Sequence, residues 1–378
     1  MIRTTCAACK TPLAHTAPRC GDCHTRYCGR GCQKQHWKAG GHKDICKKIK
    51  KAGGAEQYCA DTNCAEAIAV AVEACADDTK GQTCFICTQA LHWKTKEGLV
   101  RGCSCRGTAG FAHVSCLAEQ AKILFHEAEE NNLGLKVLTT RWERWYACGL
   151  CEQEYHGVVK CALGWACWKT YLGRPETDWS RINAMKQLGN GLSNAKQYED
   201  ALSVKEAQLS MLRRLGASEA SMLATQSNLA NTYFEMGRLQ QALQMGRDIY
   251  RGRVRLHGKE HRETLFAALN YAGSLIDLQR SEEAKSLLRK IMPVAQRVLG
   301  TGDRITLRMR WNYAVALYQD PAATFDEMRE AVGTLEEIER TARRVLGGAH
   351  PVVVQIEHHL RKARAALRAG EEPSPGAP

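Results

Sequence analysis

The sequence predicts two small zinc-binding modules followed by an all-α superhelix built from repeated helical hairpins. Three observations lead to this fold class. All 19 cysteines of the 378-residue chain lie in its first 167 residues, and many form pairs separated by two or three residues. Cysteine is absent beyond that point. From residue 180 onward, an apolar pattern recurs with a period of roughly 42 residues.

The composition is that of a chain with a buried core, since 44% of its residues are hydrophobic and 25% are charged. Its longest apolar run, residues 65–76, contains Glu66 and Glu73 and is too short to span a membrane. The first ten residues lack the apolar core of a signal peptide. We therefore expect an intracellular protein, cytoplasmic or nuclear, without a membrane partner. In a reducing compartment, such cysteine pairs favour zinc over disulfides.

The formal net charge of +13 depends on the state of the cysteines. If fourteen of them bind four Zn²⁺ ions as thiolates, the charge falls to +7. Residues 1–51 contain twelve Lys and Arg residues but only two acids, Asp22 and Asp44. Only Tyr27 and Trp37 interleave with these basic residues, so an acidic protein partner is favoured over nucleic acid.

The first cysteine module provides four pairs of metal-ligand side chains. Each pair is close enough in sequence for one turn to direct both side chains at one ion, and two pairs complete a closed tetrahedral site. The module therefore predicts two structural zinc ions, whose binding supplies most of its folding free energy. The predicted ligands are Cys6, Cys9, Cys20, Cys23, Cys28, Cys32, His42 and Cys46.

The order and spacing of these ligands resemble the MYND zinc finger, as do Tyr27 before Cys28 and Gln33 after Cys32. The resemblance implies a cross-braced pairing, in which alternate pairs share an ion. His36 competes with His42 as a ligand, but it matches a position that does not bind metal in the family. One implied site contains Cys6, Cys9, Cys28 and Cys32, and the other contains Cys20, Cys23, His42 and Cys46.

The same resemblance implies that the finger binds short peptides through Gln33 and Trp37. The alternative is that Trp37 only packs the core of the module, since a small fold needs an aromatic anchor. His15 and His24 are expected in exposed loops.

The second cysteine module has eight further ligands in a different order. A single histidine in fifth place occurs in both PHD and RING-CH fingers. One residue separates Cys103 from Cys105 and seven precede His113, a spacing that favours RING-CH, and the run CSCRGTAGFAHVSCL resembles that family. The predicted ligands are Cys84, Cys87, Cys103, Cys105, His113, Cys116, Cys148 and Cys151.

The RING-CH resemblance implies two more zinc ions and a ubiquitin ligase activity. One ion would be held by Cys84, Cys87, His113 and Cys116, and the other by Cys103, Cys105, Cys148 and Cys151. RING ligases dock a ubiquitin-charged conjugating enzyme and act by positioning it. The implied docking residues are Ile86 and an aromatic residue before the seventh ligand, either Trp142 or Trp145. Residues 119–132 are expected to form an inserted helix.

The remaining chain contains copies of one helical hairpin. Ala201, Ala242 and Ala284 occupy one column of the alignment, and Gly216, Gly258, Gly300 and Gly347 each follow a copy. The pattern resembles tetratricopeptide repeats of the kinesin-light-chain type over roughly residues 182–365. The resemblance implies a superhelix that binds proteins or peptides on its concave face, although a plain spacer is the alternative. Asn228, Asn231 and Asn270 are candidate contacts on that face, or helix-packing positions.

These predictions give six segments and three functional hypotheses. The first hypothesis is a soluble ubiquitin ligase, the second a non-catalytic scaffold, and the third a chromatin-associated adaptor. Five cysteines have no predicted ligand role: Cys59, Cys64, Cys75, Cys161 and Cys167. The expected segments are a MYND finger (1–50), a linker with a short helix (51–83), a RING-CH finger (84–156), a linker (157–180), the repeats (181–367) and a disordered tail (368–378).

Overall fold

Helices dominate the structure, a computed structural model that describes residues 6–11, 13, 14, 16–346 and 351–371. These residues contain 15 α-helices and one 3₁₀ helix, and their only β-pairings are three isolated bridges. His15, residues 347–350 and residues 372–378 lie outside the described residues. The chain divides into two units, residues 1–217 and 218–378. This architecture confirms the predicted fold class.

The first unit contains both cysteine modules and the first helical hairpin of the repeats. Its helices begin and end as follows: α1 Arg30–Lys38, α2 His42–Lys51, α3 Ala55–Ala74, α4 Val114–Glu130, α5 Gly134–Trp142, η1 Glu143–Trp145, α6 Gly157–Tyr171, α7 Trp179–Asn194 and α8 Tyr198–Arg214.

Helix α3 occupies most of the segment that we expected to be a linker. It is 20 residues long, and its small side chains enter three separate apolar clusters. Ala55 packs with the first cysteine module, Cys64 packs against α6, and Ala71 packs with the second module. The short helix expected within 51–83 is therefore 20 residues long, and it is part of the core that joins the modules.

Helix α6 replaces the second expected linker, 157–180. Ten of its fifteen residues are buried, including Trp165 and Trp168. Its Tyr171 joins an aromatic cluster with Phe125 of α4, Trp142, Trp145 and Trp179. The inserted helix expected at 119–132 is present as part of α4, which begins at Val114. The second module and the first repeat consequently share one core.

The second unit contains the remaining hairpins. Ala242, Ala272 and Ala284, at the predicted small positions, are at most 2% exposed, so the paired helices approach closely there. Its helices are α9 Glu219–Glu235, α10 Leu239–His257, α11 Arg262–Asp277, α12 Ser281–Leu299, α13 Arg304–Tyr318, α14 Phe325–Leu346 and α15 Pro351–Glu371.

At three of the four predicted positions, a glycine turn ends a copy of the helical hairpin. The φ angles of Gly216, Gly258 and Gly300 are 64°, 79° and 89°, values that glycine adopts without a Cβ clash. The fourth, Gly347, lies outside the described residues. Helix α15 continues to Glu371, so residues 368–371 of the expected disordered tail are helical.

Two glycines allow α6 and α7 to touch backbone to backbone. A Cβ on Gly191 would lie 2.8 Å from the carbonyl oxygen of Lys160 and 2.9 Å from the Cα of Cys161. A Cβ on Gly164 would lie 2.9 Å from the carbonyl oxygen of Gln187. Neither contact can be relieved by a side-chain rotation, so the helices must separate to accept a larger residue.

We expect Gly191→Ala to lower the free energy of unfolding by about 1–3 kcal/mol, since overpacking outweighs the better helix propensity of alanine. Gly333 in α14 is the control, because a Cβ there meets nothing within 4 Å. Gly333→Ala should stabilise the protein by about 0.5–1 kcal/mol. Urea unfolding followed by circular dichroism measures both, and equal shifts in the two variants would contradict the close approach.

Candidate metal centres

The four C-x2-C pairs share one backbone turn. In each, the first cysteine donates its N–H to the carbonyl five residues on, as from Cys6 to Thr11 (2.8 Å) and from Cys148 to Gln153 (2.9 Å). The residue after the second cysteine has a positive φ although none is glycine: Lys10, His24, Thr88 and Glu152, with φ between 57° and 63°. Such a conformation costs roughly 1 kcal/mol or more, which metal binding at the turn offsets.

A fifth turn of this kind lies at residues 92–97 and contains no cysteine. His92 donates its N–H to the carbonyl of Glu97 (3.0 Å), and Lys96 has a φ of 58°. At the two ligand positions, the Nδ1 of His92 and the Oγ1 of Thr95 are 2.8 Å apart and hydrogen-bond each other. This turn thus has the backbone shape of the four C-x2-C turns, but a hydrogen bond between His92 and Thr95 takes the place of metal binding.

The first module brings together both sets of four side chains that its family resemblance implies. Within each set, the ligand atoms all lie within 4.8 Å of one another. In the first set, the sulfur of Cys28 is 3.6 Å from that of Cys9 and 3.3 Å from that of Cys32. The sets are Cys6, Cys9, Cys28 and Cys32, and Cys20, Cys23, His42 and Cys46.

Helix α2 positions the histidine of the second set. His42 is its first residue, is fully buried, and directs Nε2 to the sulfur of Cys23 at 3.4 Å. His36, the competing candidate, lies outside the set, where its Nδ1 hydrogen-bonds the hydroxyl of Tyr27 (3.0 Å). Its ring instead stacks on that of His42, with centroids 5.1 Å apart. The geometry therefore supports His42 as the ligand.

The second module likewise forms two sets, across sequence separations of up to 48 residues. They are Cys84, Cys87, His113 and Cys116, and Cys103, Cys105, Cys148 and Cys151. His113 directs Nδ1 to the sulfurs of Cys87 (3.3 Å) and Cys116 (3.6 Å). Its Nε2 lies 3.3 Å from the carbonyl of Ala90, which as acceptor fixes the tautomer that leaves Nδ1 free to bind metal.

The geometry of all four sets fits Zn²⁺. Sulfurs that bind one zinc at about 2.3 Å in a tetrahedron lie about 3.8 Å apart. Cys105 and Cys148 are 3.8 Å apart, and Cys20 and Cys46 are 3.9 Å apart, far longer than a disulfide of about 2.05 Å. Next to the fourth set, a Cβ on Gly110 would lie 2.6 Å from that of Cys105, so glycine is required where the loop covers the sulfurs.

The electrostatics of the four ligand sets favour the binding of a cation. The neighbouring Cys28 thiol raises the pKa of Cys32 to about 12. Burial, together with the Cys23 and Cys20 thiols, raises the pKa of Cys46 to about 12. Three or four thiols in contact cannot all ionise alone, and a divalent ion that replaces their protons removes this repulsion. Burial also lowers the pKa of His113, which favours the neutral imidazole that binds metal.

The five cysteines without a predicted ligand role form no further set among the described residues. Burial raises the pKa of Cys64 to about 11 and that of Cys161 to about 12, and it also raises the pKa of Cys167. Cys59 and Cys75 are half-buried. Since the thiolate is the reactive form, the three buried thiols behave as small apolar side chains.

The two C-x2-C turns of the second module present an apolar side chain in the same way. The N–H of Ile86 donates to the sulfur of Cys84, and the N–H of Leu150 donates to the sulfur of Cys148, both at 3.4 Å. Ile86 is half-buried and Leu150 is 53% exposed. Leu150 was not among the predicted docking residues, although CFIC and CGLC place it one residue before a ligand, as Ile86 is.

The predicted docking role of Trp145 is contradicted by its position. Trp145 is 1% exposed and Trp142 is 3% exposed, both within the aromatic cluster. A side chain so completely covered offers no surface to a partner. The burial of both tryptophans depends on packing against α4 and α6, which local sequence does not show.

Gln33 and Trp37 lie one helical turn apart on α1 and therefore share a face. Trp37 is 40% exposed, while one edge of its ring packs against His42 (centroids 5.7 Å apart). The tryptophan thus has both a packed and an accessible surface, which leaves the predicted peptide contact open as a proposal.

The repeat asparagines do not share one environment. Asn231 is exposed, whereas Asn228 and Asn270 are half-buried. In the same column as Asn228 and Asn270, the amide of Asn312 lies 3.8 Å from the position of a Cβ on Gly273, at the contact between α13 and α11. Helix packing therefore accounts for part of this column, and Asn231 is the predicted contact that lies openly on the surface.

Comparison with protein-family models assigns these segments. Residues 6–46 match the MYND finger, 84–132 the RING-variant domain, and 222–263 a tetratricopeptide repeat. The chain carries a MYND finger, a RING-variant domain and tetratricopeptide repeats. The RING-variant match ends before Cys148 and Cys151, which complete its fourth ligand set in space.

Solved structures to which the chain is similar include two of a Podosopora anserina putative kinesin light chain with nearly identical TPR-like repeats. One, a single-residue variant, is 21% identical, covering 50% of this chain and 88% of that one, with a TM-score of 0.43. The second is 20% identical, covering 53% and 90%, with a TM-score of 0.43. BtubC (BKLC) from P. vanneervenii is 14% identical, covering 70% and 96%, with a TM-score of 0.40. No curated protein matches the chain.

The MYND finger, the RING-variant domain and the repeats together define a zinc-binding protein of the protein-interaction type. Its zinc complement is consistent with four ions, two in each finger. Among the described residues, none of the helices has the length and apolar character needed to cross a membrane.

Proposed function

We propose that the protein is a RING-type ubiquitin-protein ligase whose MYND finger and repeats recruit protein partners. The observation that supports this most directly is the pair of matched turns that present Ile86 and Leu150 beside two zinc sets of the RING-variant domain. Apolar side chains held on metal-braced turns form a rigid docking surface for a ubiquitin-conjugating enzyme.

The proposed chemistry needs no nucleophile in this chain. A lysine amine of the substrate attacks the thioester that joins ubiquitin to the conjugating enzyme, an amide bond forms, and the enzyme's thiol leaves. The ligase contributes by holding the thioester and the substrate together in one geometry. A transferase without a covalent intermediate of its own is in keeping with metal-binding and buried cysteines.

The test uses the full chain with activating enzyme, ubiquitin and a panel of conjugating enzymes. Ile86→Ala and Leu150→Ala should each reduce ubiquitin transfer by about tenfold, as truncation of a central interface side chain costs about 1–2 kcal/mol or more. Leu135→Ala is the matched control, since Leu135 is 68% exposed on α5 and lies outside the proposed surface. It should transfer ubiquitin at the unmodified rate.

The ligase proposal fails if no conjugating enzyme supports chain formation while the purified chain holds four zinc ions. That outcome would favour the non-catalytic scaffold, which the burial of Trp145 also favours because an expected aromatic docking contact is missing. A ligase that is equally active after both apolar substitutions would instead overturn the docking surface alone.

Partner recruitment is proposed for Gln33 and Trp37 of the MYND finger and for Asn231 of the repeats, with the cytoplasm or nucleus as the place of action. Nucleic acid is not a proposed partner. A DNA mobility shift at low salt that weakens as salt is added would revive the adaptor hypothesis.

A further inference from the structure

The four ligand sets, numbered in the order in which they begin along the chain, differ in the exposure of their sulfurs. In the first set, Cys9 and Cys28 are exposed and Cys32 is half-buried. All four side chains of the second set are buried. The third set has one half-buried member and the fourth has two, and neither has an exposed one. Among the described residues, water therefore reaches the metal-ligand sulfurs of the first set most freely.

The two sets of the MYND finger have matched turns and differ in burial. Cys9 and Cys23 occupy the same position of these turns. Each sulfur forms a hydrogen bond with the hydroxyl of the threonine two residues on, Thr11 or Thr25, at 3.1 Å. Cys23 and Thr25 are both 0% exposed, whereas Cys9 and Thr11 are both exposed. The same local contact is thus closed to solvent in the second set and open in the first.

The first set also carries more negative charge than the second when zinc is bound. Four thiolates (−4) and one Zn²⁺ (+2) give −2, whereas a histidine in place of one thiolate gives −1. The greater negative charge makes the sulfurs better nucleophiles. The fourth set has the same charge, but a loop covers it, and a Cβ on Gly110 would lie 3.2 Å from the sulfur of Cys103. Of the four sets formed by the described residues, the first alone combines exposed sulfurs with this charge.

We propose that Cys9 and Cys28 form a modification site, at which hydrogen peroxide oxidises two zinc-bound thiolates to a disulfide. Their sulfurs lie 3.6 Å apart, and oxidation follows thiolate character and exposure. The sulfur of Cys28 attacks one peroxide oxygen, the O–O bond breaks and hydroxide leaves, which gives a sulfenic acid. The thiolate of Cys9 then attacks that sulfur, an S–S bond forms and a second hydroxide leaves. Two electrons pass from the two sulfurs to the peroxide.

Oxidation of this pair removes half of the ligands of the first set. Cys6 and Cys32 remain, too few for a closed tetrahedral site, so the set releases its ion. The rest of the finger then unfolds, because both of its sets share one small core. Helix α1, which contains Cys32, also contains Trp37, so the surface proposed for partner recruitment is lost with it. The inference goes beyond the proposed function, because it requires neither ubiquitin transfer nor a bound partner.

The test treats the zinc-loaded full chain with hydrogen peroxide. A chromogenic chelator measures the released zinc, and mass spectrometry of proteolytic peptides maps the disulfides. We expect two of the four ions to be released at least about tenfold faster than the other two. At the earliest times, the disulfide between Cys9 and Cys28 should precede any at Cys20, Cys23 or Cys46. Release of all four ions at one rate, or a first disulfide in another set, would overturn the inference.

Cys9→His keeps a zinc ligand but removes one exposed thiolate and lowers the charge of the set to that of the second. It should hold four ions and release zinc about tenfold more slowly under peroxide. Cys59→Ser is the control, because Cys59 is a half-buried thiol with no ligand role, and zinc release should keep the unmodified rate. An unchanged rate in zinc-loaded Cys9→His, or slower release from Cys59→Ser, would contradict the proposed site. If Cys9→His binds fewer ions, the disulfide map of the unmodified chain decides.

Discussion

Replacement of His42 by alanine is expected to unfold the MYND finger and so to lower the zinc content of the purified chain from four ions to two, because the two sets of this finger share one small core. His42 is fully buried between the sulfurs of its set and the rings of Tyr27 and His36. The apolar cluster of the finger is otherwise small, with Tyr27, Ile49 and Ala55 as its buried members besides cysteine. Structural zinc contributes on the order of 10 kcal/mol to such folds, far more than this cluster can replace.

His36→Ala is the matched control, because His36 lies on the neighbouring helix, stacks on the same ring and was the competing candidate. It should keep four ions and lose only about 1 kcal/mol from its hydrogen bond to Tyr27. Mass spectrometry of the native protein counts the ions, and amide exchange of residues 6–46 reports their folding. Loss of zinc from His36→Ala, with four ions retained by His42→Ala, would reverse the assignment.

The metal ligands could be predicted from the sequence because ligand type and the spacing within a pair are local properties, whereas the grouping of the pairs into sets was implied by the family resemblances. Cys28 and Cys32, or Cys84 and Cys87, meet an ion in one turn whatever the rest of the chain does. The repeat hairpins could equally be predicted from the sequence, since small residues such as Ala242 and Ala284, which are buried, recur at a fixed period. The left-handed residues after each C-x2-C pair were not foreseen, because Lys10 and Glu152 have no intrinsic preference for that conformation.

The length and burial of the helices within the two expected linker segments, by contrast, depend on contacts that no local pattern reveals. Helix α3 is rich in alanine and has no single apolar face, because its successive turns enter three different clusters. Helix α6 is apolar around most of its circumference because it is surrounded by α3, α4 and α7. The alanine-rich sequence of α3 and the apolar circumference of α6 identify buried helices only when the elements packed against them are known. The burial of Trp145 could not be predicted for the same reason, since it depends on contacts with other helices.

Trp145→Ala is expected to destabilise the first unit by about 3–5 kcal/mol, the usual cost of removing a large buried aromatic side chain. Trp145 is among the largest fully buried side chains of the described residues. Its ring lies 5.7 Å from that of Tyr171 and 6.3 Å from that of Trp142, measured between centroids. The substitution leaves a cavity where α4, η1 and α6 meet, and those helices cannot close it without moving the zinc sets that flank them.

Trp93→Ala is the matched control for the same residue type within the RING-variant domain. Trp93 is 69% exposed on the turn that lacks cysteine, so its removal should change the free energy of unfolding by less than about 0.5 kcal/mol. Urea midpoints of the zinc-loaded chain compare the two variants. Because Trp145 has no accessible surface, its loss should reduce ubiquitin transfer only in proportion to the unfolded fraction, and stabilising conditions should restore it. A Trp145→Ala protein that is fully folded yet inactive would contradict this prediction and would mean that the ring contacts the conjugating enzyme.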